Sequence, residues 1–266
     1  MNNKNQNNLK EVQEKLENEL KDNLLKNPSQ EKFQEAYDKI HTFFIEQEKI
    51  SSIYSTELNW FSDIFIDLSG SGNKVLDIGS GNGKLVISMA EKGNTVIGLD
   101  VSKIALDKAR ERLNNYSQEL SVDFRLGDAR KLPFEDNTFH FITSQDLIEH
   151  ISEEDFKIHL NEVYRVLKPG GRYLFWTPSA LKGGSSHGLH IKEYTLAEID
   201  KIIRQTNFSY TWHDIRFYKL KLKFKLNQSL ISPVVLYEKL LSKIIKFIPG
   251  KIKKIFIPPL LFQLTK

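Results

Sequence analysis

Apolar and polar positions change period several times along the chain, and each change marks an element. Leu9 to Leu25 repeats apolar residues at helical spacing until Asn27-Pro28-Ser29 interrupts it. Lys32 to Glu48 predicts a second helix whose apolar face carries Phe33, Ala36, Tyr37, Ile40, Phe43 and Phe44. Thr56 to Leu68 predicts a third, with Trp60, Phe61, Ile64 and Phe65 on one side, ended by Gly70-Ser71-Gly72. The stretch from Met1 to about Gln30 is rich in Asn, Lys and Glu, and its start is expected to fray.

From Lys74 onward, short apolar runs alternate with helical patterns. Strands are predicted at Lys74–Ile78, Thr95–Asp100, Ser121–Gly127, Thr138–Ser144 and Gly171–Thr177. Helices are predicted at Lys84–Lys92, Ser102–Tyr116, Glu153–Leu167 and Thr195–Thr206, with Ser102 and Thr195 suited to cap their first turns. Apolar strands alternating with helices imply an α/β fold, a parallel sheet covered on both faces. In such sheets ligands sit at the carboxyl ends of the strands, so chemistry is sought there.

Composition narrows the classes. A chain of 266 residues is long enough for one large core with appendages. Cysteine is absent, which excludes disulfide frameworks, thiolate zinc sites and cysteine nucleophiles, and suits a cytoplasmic protein. No run of 18 apolar residues is present, and Met1 to Asn8 lacks the apolar stretch of a secretory signal. The net charge of +4 is unevenly spread. Arg216 to Lys266 holds twelve Lys/Arg and a single acid, Glu238, so an acidic body carries a basic tail.

Three motifs carry chemistry. Val75-Leu76-Asp77-Ile78 runs directly into Gly79-Ser80-Gly81-Asn82-Gly83 and then a helix. Alternate glycines let the backbone turn sharply and approach a ligand, and the helix start offers unpaired N–H groups. Asp100 ends the second strand, 17 residues after Gly83, where an acid accepts both hydroxyls of a ribose. Gly127-Asp128-Ala129 closes the third strand, where a side chain and the next backbone N–H reach the edge of an adenine.

These motifs, with Leu167-Lys168-Pro169-Gly170-Gly171, resemble those of the class I S-adenosylmethionine-dependent methyltransferases of the small-molecule, methyltransferase-11-like type. The likeness runs from about Lys74 to Ser179. It implies a Rossmann-like, doubly wound, mostly parallel seven-stranded sheet. It implies S-adenosylmethionine as cofactor, with S-adenosylhomocysteine as product. Asp77, Gly79, Ser80, Gly81 and Gly83 would hold the methionine part, and Gln145 would line that end. Asp100 with Val101 would take the ribose, and Asp128 with Ala129 the adenine. His140 stands where relatives usually have Asp, at the start of a strand, with little effect on the cofactor expected.

Two other readings compete. Tyr164 and Lys168 form Y-x-x-x-K, as in nicotinamide-dependent short-chain dehydrogenases. That pair needs a helix continuing past the lysine, and Pro169-Gly170-Gly171 stops it. The glycines also space as G-x-G-x-G rather than G-x-G-x-x-G. A non-catalytic, methyltransferase-like binding module is the other alternative. Joint retention of Asp100 and Asp128 argues against it.

Methyl transfer needs alignment more than a nucleophile, and an oxygen acceptor needs a base. His150, His190 and Tyr194 are the candidates. His190-Ile191-Lys192-Glu193-Tyr194-Thr195 resembles the lead-in to a helix that borders the acceptor pocket in small-molecule methyltransferases. Asp146, Glu149 and His150 would share a helical face and so offer ligands to a divalent metal. A site without metal is the expectation, since Glu-His here is widespread in the superfamily.

In the tail, Tyr218-Lys219-Leu220-Lys221-Leu222-Lys223-Phe224-Lys225-Leu226 alternates strictly, which predicts an edge strand or projecting hairpin. Ser232–Phe247 predicts an amphipathic helix, and Leu260–Lys266 the last strand. The expected layout is a polar helical extension over 1–50, a cofactor-binding core over 51–216 and a basic elaboration over 217–266. The elaboration is expected to roof the substrate pocket, with peripheral contact to an anionic membrane as the alternative. The acidic body and the lack of an RNA module argue against nucleic acid.

Overall fold

The computed structural model describes residues 3–26, 29–50, 62–182, 189–213, 225–227, 231–244, 257 and 260–266. Helix α1 spans Asn3–Lys26, and α2 (Gln30–Ile50) follows. Helix α3 (Ser62–Ser69) is the described half of the third predicted helix; Trp60 and Phe61 lie outside the described residues.

The core then winds as the strand–helix alternation predicts. It runs β1 (Lys74–Ile78), α4 (Lys84–Glu91), β2 (Thr95–Asp100), α5 (Lys103–Asn114), β3 (Val122–Leu126) and β4 (Phe139–Gln145). A 3-10 turn (Ile148–His150), α6 (Glu153–Val166), β5 (Leu167–Thr177), α7 (Leu196–Ile203) and β6 (Ser209–His213) follow. The chain ends with β7 (Lys225–Asn227), α8 (Ser232–Ile244) and β8 (Leu260–Thr265). Sheet order is β3-β2-β1-β4-β5-β8-β6-β7. The first five are parallel, and β8 inserts antiparallel between β5 and β6. Seven strands were expected; the eighth, β7, is three residues at the edge, inside the alternating Lys/apolar run.

Both sheet faces are covered, and the strand pleat decides which side chain goes where. Leu76, Ile97, Ile142, Tyr173 and Phe175 pack with α1, α2, α6 and α7. Their sequence neighbours Val75, Val96, Phe141 and Leu174 pack with α3, α4 and α5 on the opposite face. Period-two burial on both faces is why these strands read as unbroken apolar runs. The caps form as predicted. Ser102 Oγ accepts the Ala105 N–H at 3.1 Å, and Thr195 with Glu198 makes a reciprocal capping box.

Helix α2 packs Phe33, Ala36 and Ile40 into the core, each at 5% exposure or less. Each large side chain so buried contributes about 1.5–3 kcal/mol. A polar clasp fixes the helix position: Asp38 Oδ1 accepts the Ser102 hydroxyl at 2.7 Å and the Ile104 N–H at 3.1 Å. A carboxylate at the first turn of α5 suits the helix dipole.

Candidate active site

A cavity of about 560 Å³ opens at the carboxyl ends of β1, β2, β3 and β4. The glycine loop forms its floor. Gly79 and Ser80 both donate backbone N–H groups to Leu99 O, at 2.8 and 3.0 Å, which folds the loop back over β2. Gly81 has φ 52° and a Cβ there would meet nothing within 4 Å, so the backbone is open to the cavity. Gly83 does a different job. It caps α4 with φ 76°, and a Cβ would lie 2.7 Å from Phe124 Cζ and 2.9 Å from Ala109 Cβ. It permits packing rather than ligand contact.

Asp100 lines the cavity at 8% exposure. Its Oδ2 accepts the Gly81 N–H and its Oδ1 the Ser102 N–H, both at 2.8 Å. Burial raises its pKa, partly opposed by the His41 ring and these N–H groups. Val101 and Ala129 also line the cavity. Asp128 lines it too, in a fork with Arg130 whose bonds are 2.7 to 3.1 Å, and Arg130 lies 4.6 Å over the Phe33 ring.

Three more of the expected cofactor residues, besides Gly83, stand back from the surface of the cavity. Asp77 is buried beneath the loop and accepts the Thr143 hydroxyl at 2.7 Å. Desolvation pushes its pKa up to about 7. Ser80 Oγ is buried without a hydrogen-bond partner among the described residues, close under Gly98. Gln145 pairs with Ser62 at the start of α3, at 3.3 to 3.4 Å.

At the other end, Asp146 takes a positive φ of 51°, and the chain turns through the 3-10 segment instead of the full helix expected there. This changes which side chains meet. Ligand-bearing atoms of Glu149, His150 and His190 lie within 4.8 Å of one another, so His190 takes the place expected of Asp146. His150 and His190 stack edge to face at 4.8 Å. Glu193 Oε1 lies 2.9 Å from His190 Nδ1, which favours the proton on Nδ1 and leaves Nε2 as the basic nitrogen. The backbone carbonyl of Glu149 accepts N–H bonds from Ile191 and Lys192, clipping the His190 segment to the 3-10 turn. The Glu149 side chain is fully buried, with Oε2 accepting from Thr177 at 2.9 Å. Desolvation and the neighbouring Asp146 raise its pKa well above the carboxylate range.

Tyr194 is not brought to the cavity. It is fully buried, its ring 5.6 Å from Phe156, and it is absent from the cavity lining. An isolated parallel bridge pairs its backbone with Ser179. His187 lies outside the described residues. Tyr164 and Lys168 are likewise remote. Helix α6 stops at Val166, Lys168 pairs with His140 at 2.9 Å, and Tyr164 packs on Phe208. No dehydrogenase pair forms.

Much of 217–266, where the roof was expected, lies outside the described residues. Among the described residues, none from 217–266 lines the cavity. The N-terminal helices do: Glu17 from α1, and Phe33, Tyr37, Ile40 and His41 from α2. The apolar face of α2 was visible in the sequence, but nothing local says what it covers. Tyr37 stands edge to face with His150 at 5.7 Å, and its buried hydroxyl has no partner among the described residues.

Comparison with known proteins agrees with this geometry. A family model described as a methyltransferase domain matches residues 75–171. Methyltransferase GfsG of Streptomyces halstedii is 41% identical over 108 residues, covering 40% of this chain and 38% of that protein. The ubiquinone/menaquinone biosynthesis C-methyltransferase UbiE of Escherichia coli is 37% identical over 115 residues, covering 41% and 45%. The chain thus spans less than half the length of these relatives. Among solved structures, phosphoethanolamine N-methyltransferase 2 of Haemonchus contortus, in complex with S-adenosyl-L-methionine, superposes with a TM-score of 0.53. It is 25% identical, over 78% of this chain and 52% of that one. Strand order, glycine loop and strand-end acids agree with these likenesses: the chain carries a class I S-adenosylmethionine-dependent methyltransferase domain.

Proposed function

We propose that this chain transfers a methyl group from S-adenosylmethionine to an uncharged, largely apolar small-molecule acceptor. The observation that carries the reading is the single cavity joining Gly79, Gly81, Asp100, Asp128 and Ala129 at one end to His150 and His190 at the other. In this reading the glycine loop, with Asp77 beneath it, holds the methionine part. Asp100 and Val101 take the ribose, and Ala129 with Asp128 the adenine edge. Asp128 must share its carboxylate between Arg130 and the ligand. Gly83 and Ser80 shape the loop from behind, and Gln145 steadies α3.

The reaction is an in-line displacement. The acceptor atom forms a bond to the methyl carbon while the carbon–sulfur bond breaks, and sulfur keeps the electron pair. Holding both partners aligned supplies on the order of 7–11 kcal/mol. His190, oriented by Glu193, is proposed to take the acceptor's proton on Nε2, with His150 beside it. Tyr37 is proposed to hydrogen-bond the bound ligand, because its hydroxyl is buried at the cavity wall without a partner.

Acceptor chemistry follows from the walls. Leu147, Ile151, Trp176, Pro178 and Leu189 are apolar, and Asp146 and Glu193 are acidic. Among the described residues, Arg130 is the one Lys or Arg side chain on the lining, and it is paired with Asp128. Such walls disfavour phosphate or carboxylate acceptors. A thermal-shift comparison tests the cofactor half of the reading. S-adenosylhomocysteine should raise the melting temperature and NADH at the same concentration should not. Stabilisation by NADH alone would overturn it.

A further inference from the structure

Helix α8 is apolar on both sides. Its inward face sets Val234, Glu238 and Leu241 against the core, with Ile231 just ahead of it. Glu238 is 2% exposed and accepts the Leu196 N–H at 2.7 Å and the Ala197 N–H at 2.9 Å. It therefore caps α7 across 42 residues of sequence. On the outward face Leu236, Leu240 and Ile244 follow one another at four-residue spacing and are 58%, 56% and 54% exposed. Lys243 lies on the same side and is exposed. Isolated exposed leucines need no explanation, but a row of three along one outward stripe does.

Charge says what covers that stripe. From Arg216 to Lys266, Glu238 is the only acid against twelve Lys/Arg. Its carboxylate is buried and spent on the start of α7. The segment's acid is thus buried, while Lys243 is exposed beside the apolar row. An apolar row set in a purely basic segment matches the anionic headgroup and acyl boundary of a bilayer. No helix of the described residues is long and apolar enough to cross a membrane, so the contact is made from one side.

The position of α8 relates this surface to the cavity. Its anchor, the start of α7 at Leu196, lies three residues beyond Glu193, which lines the acceptor end beside His190. We infer that α8 docks the protein on an anionic lipid surface through Leu236, Leu240 and Ile244, placing the acceptor end of the cavity near the membrane. The inference extends the proposed function by naming a lipid-embedded acceptor class, and to that extent it rests on that reading.

The test is co-sedimentation of the full chain with vesicles of phosphatidylcholine containing about 30 mol% phosphatidylglycerol, against phosphatidylcholine alone. The wild type should pellet with the anionic vesicles and stay in solution with the neutral ones. Exchange of all three outward residues, L236Q/L240Q/I244Q, should weaken binding by about tenfold or more, because each loses apolar insertion. These side chains point to solvent, so the melting temperature should hold. Failure to pellet, equal pelleting with neutral vesicles, or unchanged pelleting of the triple variant would each overturn the inference. So would a concentration-dependent dimer that the triple substitution abolishes, since the stripe would then be covered by a second copy. S-adenosylhomocysteine binding by the same preparations separates the two claims. Retained ligand binding without vesicle binding defeats the docking alone, and loss of ligand binding defeats the methyltransferase reading instead.

Discussion

Asp38 of α2 accepts the hydroxyl of Ser102 at 2.7 Å, two residues beyond Asp100. The clasp ties the N-terminal helix to the cofactor-facing strand end, and α2 carries Phe33, Tyr37, Ile40 and His41 over the cavity. Asp38→Ala removes this clasp and the bond to Ile104 N. A charge-assisted bond of this kind contributes about 1.5–3 kcal/mol. We expect S-adenosylhomocysteine affinity to fall by about tenfold and the melting temperature to drop by a few degrees. Calorimetry and a melting scan check both; unchanged affinity would mean that α2 covers the cavity without contributing to binding.

In the proposed reading, the buried Asp77 is expected to make cofactor binding pH-dependent. Its pKa is pushed up to about 7 by desolvation, so below pH 7 the free protein holds it neutral. An ammonium-bearing ligand favours the carboxylate, and binding then releases a proton. Affinity should therefore fall as pH drops from 8 to 6 and level off above about 7.5. Titration in two buffers of different ionisation heat should show proton release at pH 6.5 that vanishes in Asp77→Asn. The free protein shows the opposite trend, because raising pH through 7 charges a buried group and costs stability.

His159 supports the cavity wall at Ala129 from within. Its Nδ1–H donates to Ala129 O at 2.9 Å, and its Nε2 accepts the Tyr173 hydroxyl at 2.9 Å. Burial pushes its pKa down to about 4. A depressed histidine favours the fold above pH 6.5 and loses that contribution as pH falls toward 4. The stability advantage of the wild type over His159→Phe should shrink by on the order of 3 kcal/mol between pH 7 and pH 4. Chemical denaturation of both proteins at each pH gives this difference. Subtraction removes the opposing contribution of Asp77.

Much of the core was legible because its signals are local. The run from Val75 to Gly83 states a buried strand, a turn and a helix in sequence order, and the structure follows it. Ser102 and Thr195 read as caps for the same reason. Meetings between distant segments were not legible. That Tyr37 stands over His150 depends on how α2 packs, and helical periodicity gives only the face. That His190 joins Glu149 and His150 depends on how the His190 segment is clipped to the 3-10 turn, 40 residues away in sequence. Tyr194 was placed by the His190–Thr195 motif, but only His190 of that pair reaches the cavity, while Tyr194 is buried against Phe156. What the tail covers was not legible, because its amphipathy is explicit while its partner is not. Glu238, which fixes α8, finds its N–H donors on another element.

The most direct measurement is calorimetric titration of S-adenosylhomocysteine into the wild type and into Asp100→Ala. Asp100 ends β2, lines the cavity and braces Gly81. The account predicts saturable micromolar binding to the wild type. It predicts a loss of about 100-fold or more in the variant, which forfeits charge-assisted bonds to the ribose and the brace on the loop. Absence of binding to the wild type, or equal binding by both proteins, would contradict it.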